Sequence, residues 1–196
     1  MESFLILPVA MTIPVVDTTK SQQTTVPQVV LSQQMNIEAN GLLAFNQLMN
    51  QESETPSEEE KAAAIDMFFK EHDMPLEGKG LKMVQEAEKN DLDWRLVAAI
   101  SVRESTGGRH ACKKVKFNPF GWGSCKIGFK SYDQAIETIA RNLGGNNPNT
   151  AKHYSGKTTK EILEKYNPPS IVPDYAKKVM GTMDEISEYL SQAKVA

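Results

Sequence analysis

Residues 102–135 read VRESTGGRHACKKVKFNPFGWGSCKIGFKSYDQA, and Glu104 is the only acidic residue in the first 31 of those positions. A carboxylate set alone among lysines, glycines and two large aromatics is a candidate proton donor, because its acidity depends on what surrounds it. Glu104 ends a strongly apolar stretch, four residues after Ile100 and seven after Val97. That spacing extends the apolar face of a helix rather than its solvent face. In a last turn it meets the negative end of the helix dipole, which disfavours the ionised form. Burial beside Phe120 or Trp122 would disfavour it further, while Arg103 or Arg109, if close, would oppose the shift. A carboxyl group with an upward-shifted pKa holds its proton near neutral pH, as a general acid protonating a glycosidic oxygen must. The plainer alternative is a solvated charge at a helix end.

The stretch FNPFGWGS, residues 117–124, supplies a second part. Pro119, Gly121 and Gly123 predict a tight turn presenting Phe120 and Trp122. The faces of these rings suit the apolar faces of sugars, and Asn118 offers amide hydrogen bonds. Either aromatic could instead close the core. Arg109, Lys113, Lys114, Lys116, Lys126 and Lys130 surround the turn and suit a polymer bearing carboxylates or phosphates. Cys112 and Cys125 bracket the segment, 13 positions apart. With His110 they are too few for a zinc site, so no metal and no cofactor is expected. They are expected to pair as a disulfide, with two unrelated thiols as the alternative. Such a bond would restrict the unfolded chain by about 3 kcal/mol and persists mainly outside the cytosol.

The elements that must position these groups read as helices. Ser57 and Glu60 form a capping box opening a helix with Ala64, Met67, Phe68 and His72 along its buried stripe. A second helix is expected over 80–91. The third runs to Glu104 with Asp93 as N-cap and Gly107 as stop, and its near-continuous apolar content makes it central and buried. Ser131 and Gln134 suggest another capping box before a helix carrying Ile136, Ile139, Ala140 and Leu143. A short helix follows in TTKEILEKY, then a proline-rich connection. A closing helix has Val179, Met183, Ile186 and Leu190 inward. The only strand candidate is CKIGFK, residues 125–130. The expected architecture is all-α, about six helices around one buried central helix with little or no β.

The chain has 196 residues and a net charge of −3, divided unevenly. Residues 1–93 carry 6 Lys/Arg against 16 Asp/Glu, and residues 94–196 carry 16 against 9. The second half therefore suits an anionic partner and the first does not. A nucleic-acid partner is not expected, because no helix-turn-helix, zinc-finger or RNA-binding signature accompanies the charge. Residues 4–16 are apolar, but Glu2 stands where a signal peptide would be basic, so an export segment and a sticky tail both stay open. Residues 17–56 are rich in Gln, Thr, Ser and Asn and read as a linker, with a short amphipathic helix within 36–51. The domain expected to carry the chemistry spans 57–196, with 1–56 as an N-terminal segment and linker.

The run DWRLVAAISVRES, the turn NPFGWGS, the helix start FKSYDQAIETIARNL and the later KYNPP and DYAKKVMGTM resemble the glucosaminidase family of peptidoglycan hydrolases. That family belongs to the lysozyme-like superfamily, and the resemblance covers roughly residues 62–190. It implies a lysozyme-like domain that cleaves β-1,4 glycosidic bonds in peptidoglycan, as an extracytoplasmic monomer. It also implies Glu104 as catalytic acid, Asn118, Phe120 and Gly121 as the substrate-facing turn, and Tyr132 as a tyrosine near the acid. Many members carry a second acidic residue between catalytic helix and turn. Here the 13 residues STGGRHACKKVKF hold none, and Asp133 is better explained by its place in a helix first turn. Hydrolysis, a lytic transglycosylase reaction and a non-catalytic glycan-binding role of the same fold are all consistent with one carboxylate. Membrane contact, if any, is expected through the N-terminal segment.

Overall fold

The computed structural model describes residues 55–193 and, before them, Gly41 alone, which is helical. The linker expected over 17–56 and the helix within 36–51 otherwise fall almost entirely outside the described residues. The chain divides between Glu52 and Ser53 into two units, and the site lies in the second, Ser53–Ala196.

Among the described residues of that unit the structure is all-α, without a strand. Six helices have eight residues or more: α1 Glu58–Glu71, α2 Gly80–Lys89, α3 Leu96–Ser105, α4 Tyr132–Leu143, α6 Thr159–Tyr166 and α7 Tyr175–Glu188. Two short ones, α5 Ala151–Tyr154 and α8 Leu190–Ala193, complete the order. The centre is α3, which packs on α7, α2 and α4. Leu96, Val97, Ala98, Ala99 and Ile100 are each 0% exposed, so this helix has no solvent face in its first half. Burying a side chain such as Leu96 or Ile100 contributes about 1.5–3 kcal/mol.

Local chemistry explains where the helices begin and end, and corrects several expectations. The Ser57–Glu60 capping box is present in both directions. The stripe of α1 is turned slightly from the expected one: Ile65 and Phe69 are buried with Ala64 and Phe68, while Met67 is partly exposed and His72 is the exposed C-cap. Asp93 does not cap α3, which starts at Leu96. Its Oδ1 accepts the Arg95 backbone N–H (3.0 Å), and Oδ2 takes the Arg95 guanidinium (2.6 Å). The helix stops at Thr106, which adopts the left-handed region at φ 53°, one residue before the glycine expected to do so. Gly107 follows at φ 58°, where a Cβ would come within 2.6 Å of Met74. Ser131 caps α4 through Gln134 N–H, but the Gln134 side chain accepts from Lys130 N–H, so the box is not reciprocal. The reciprocal box lies instead at Thr158 and Glu161, opening α6. In α7, Val179, Met183 and Ile186 are buried as expected, whereas Leu190 falls in α8 and is partly exposed.

Candidate active site

Glu104 sits in the last turn of α3, half-buried, beside Ser105, which is buried. Ser105 ties this turn to the loop that follows. Its hydroxyl donates to Pro119 O (2.6 Å) and accepts the Gly108 N–H (2.9 Å). The helix end and the NPFGWGS turn are thereby held together across the intervening loop. The Cys112–Cys125 disulfide closes a loop that contains the turn, with Cα atoms 5.5 Å apart.

The turn is built around Asn118, which is fully buried. Its Oδ1 accepts the N–H groups of Phe120 (3.3 Å) and Trp122 (3.1 Å). Its Nδ2 donates to Trp122 O and Ile127 O, both at 2.9 Å. A carboxamide has two donors and two acceptor lone pairs, and all four are used inside the loop. Asn118 is therefore the scaffold of the turn rather than a group facing a ligand, contrary to the sequence expectation. Phe120 has both of the roles considered for it. Its side chain is 0% exposed, yet it forms part of the wall of the cleft over Glu104. Gly121 adopts φ 63°, and a Cβ there would lie 3.1 Å from Glu104 Oε2.

The cleft has a volume of about 300 Å³, at the small end of the range for ligand sites. Glu104, Gly121 and Trp122 line it, together with Tyr154 of α5, Tyr166 of α6 and Asn167, which caps α6. Trp122 stacks on Tyr166 with centroids 6.0 Å apart, and Tyr166 stacks on Tyr175 at 6.1 Å. The Tyr166 hydroxyl donates to Phe120 O (2.5 Å), and the Tyr175 hydroxyl donates to Glu104 Oε1 (2.6 Å). Three aromatic rings thus run from the turn to the carboxylate.

No protein-family model matches this chain, and neither a curated protein nor a solved structure is significantly similar to it.

Burial raises the pKa of Glu104 above the ordinary carboxylate value of 4.5, and the Tyr175 hydrogen bond and the Arg103 charge offset this only in part. Arg109 does not take part. Its guanidinium donates to the carbonyls of His72 (2.9 Å) and Asp73 (2.6 Å). Tyr175 is itself pushed far up, by burial first and by the neighbouring Glu104 charge second, so it remains a hydrogen-bond donor throughout the accessible pH range. Burial has the same effect on Tyr166.

Of the residues singled out from sequence, Glu104, Phe120, Gly121 and Trp122 come together at the cleft. Tyr132 does not. It packs edge-on against Phe117 at 5.2 Å and is no part of the cleft wall. The hydroxyl at Glu104 belongs to Tyr175, and Tyr154, Tyr166 and Asn167 were likewise not singled out. The one local signal for Tyr175 is its register, four residues before Val179 and eight before Met183 on the buried stripe of α7. That register points it inward without saying toward what. Asp133, the nearest later acid, pairs with Lys79 (2.8 Å) and is half-exposed. Among the described residues, Glu104 is the only carboxylate lining the cleft.

Proposed function

We propose that this chain cleaves β-1,4 glycosidic bonds in the glycan strands of peptidoglycan, with Glu104 as the general acid. The observation that carries the reading is the state of that carboxyl group. It is half-buried at an aromatic-walled cleft, its pKa is raised by burial, and its two oxygens are differentiated. Oε1 accepts the Tyr175 O–H, so in the protonated form the proton resides on Oε2, beside Gly121. Trp122, in the wall of the cleft, offers a ring face for a sugar. The resemblance to the glucosaminidase family assigns the same role to Glu104, and the disulfide favours an extracytoplasmic setting.

In this mechanism the Oε2 proton passes to the glycosidic oxygen as the C1–O bond breaks, leaving Glu104 ionised and an oxocarbenium-like centre at C1. Among the described residues, no second carboxylate lines the cleft to act as base. The nucleophile, whether water or a hydroxyl of the same sugar, returns its proton to Glu104 and restores the acid. Mass analysis of the fragments released from purified peptidoglycan tests this directly. The expected result is soluble muropeptides with reducing or anhydro ends, the end type reporting which nucleophile attacks, and none from Glu104→Gln. The single carboxylate also fits a glycan-binding domain without turnover. Binding to peptidoglycan with no fragments from the unaltered protein would establish that reading instead.

A further inference from the structure

The disulfide loop has a second surface, formed by residues that do not line the cleft. Lys113, Lys114, Lys116, Lys126 and Lys130 are all exposed. None of them forms an ion pair among the described residues. No Asp or Glu lies between Glu104 and Asp133 to offset them. Among these lysines stand two large apolar side chains, Phe117 (37% exposed) and Ile127 (44%).

The backbone brings their two stretches of chain together. Phe129 N–H donates to Lys116 O (3.0 Å) and Asn118 Nδ2 donates to Ile127 O (2.9 Å), so residues 116–118 run beside 127–129. Both side chains are held in place at the surface. The Phe117 ring meets Tyr132 edge-on at 5.2 Å, and its backbone is kept at φ 55°, an uncommon conformation for a residue with a Cβ. Ile127 fills the space over Gly123, where a Cβ would come within 2.6 Å of its Cδ1.

Charge selects an anionic partner. Two exposed apolar side chains among the lysines select one with a hydrocarbon interior over a soluble polyanion. The geometry points to a docking surface for the headgroup–acyl boundary of an anionic lipid bilayer, with the lysines at the phosphates and Phe117 and Ile127 inserted between them. This surface is independent of any chemistry at Glu104.

Sedimentation of the full-length protein with vesicles of phosphatidylcholine, with and without phosphatidylglycerol, tests the proposal. Binding is expected only to the anionic vesicles and is expected to weaken with salt. Lys113→Gln and Lys116→Gln should each cost about 5-fold in affinity. Phe117→Ser with Ile127→Ser should cost on the order of tenfold while leaving binding to soluble polyphosphate unchanged. If that double variant binds anionic vesicles as the unaltered protein does, charge alone or residues 4–16 carry the binding and the proposal falls. Phe117→Trp keeps an aromatic and the fold. Its emission, above that of Trp94 and Trp122, should be quenched by lipids with brominated acyl chains, and absence of added quenching would likewise overturn the insertion.

Discussion

The hydroxyl of Tyr175 lies 2.6 Å from Oε1 of Glu104, joining the first residue of α7 to the last turn of α3 across 71 positions of sequence. The bond favours the ionised carboxylate and so holds the pKa of Glu104 below what burial alone would set. Tyr175→Phe keeps the ring stacked on Tyr166 and removes only the donor. Burial then acts with less opposition, and the pKa of Glu104 rises further. The alkaline limb of the pH–rate profile should move to higher pH, with turnover reduced roughly tenfold for the loss of a hydrogen bond to a charged group. A limb that stays in place would separate the two residues functionally.

Glu104→Gln retains shape and can still accept from Tyr175, but it has no proton to deliver. Turnover should fall by about 10²–10⁴-fold or more with the fold intact. Stability should respond in the opposite direction. Because the folded-state pKa of Glu104 is raised, the folded protein binds the proton more tightly than the unfolded chain does. Its contribution to stability is therefore fully present below the unfolded value of 4.5 and is lost as pH rises through the folded pKa. The Gln variant should be the more stable protein at neutral pH, with the difference closing in acid. Thermal unfolding of both proteins across that window measures it.

Gly121 serves two requirements, a left-handed backbone at φ 63° and room for Glu104 Oε2. Gly121→Ala should cost about 1–2 kcal/mol from the backbone and also displace the carboxylate. Gly156 supplies the control. It has φ 68° but nothing within 4 Å of a Cβ position. Gly156→Ala should show a similar loss of stability with unchanged turnover, so a comparable loss of turnover in both variants would argue against the contact with Glu104.

The disulfide closes the loop that forms one wall of the cleft. Thiol titration of denatured, unreduced protein should find no free cysteine. Reduction should lower stability by about 3 kcal/mol, as the loop length implies, and should lower turnover before the helices unfold. Circular dichroism and activity followed together during reduction would separate those stages.

The helical elements were legible in the sequence because their causes are local. Ser57 with Glu60, the apolar run from Leu96 to Ile100, and Ile136 with Ile139, Ala140 and Leu143 each carry cap or period in a few consecutive residues. Asp93 misled because a short acidic side chain can take the backbone N–H two residues on as readily as it caps a helix, and here Arg95 was the nearer partner. Glu104 was legible as a candidate for the same local reason: its register continues an apolar face and no other acid lies near it in the chain.

By itself the sequence determined the all-α character, the central buried helix and the carboxyl group at its end, since propensity, capping and hydrophobic period act within a turn or two. Only the tertiary structure decided what that carboxyl group meets. Asn118 spends its whole amide on the turn that holds Phe120 and Trp122. Tyr132 packs on Phe117 instead, and Tyr175 and Tyr166 arrive from α7 and α6 to complete the ring stack beside Glu104. The direction of a hydroxyl depends on how helices far apart in the chain are packed, and no spacing of residues along one helix encodes it.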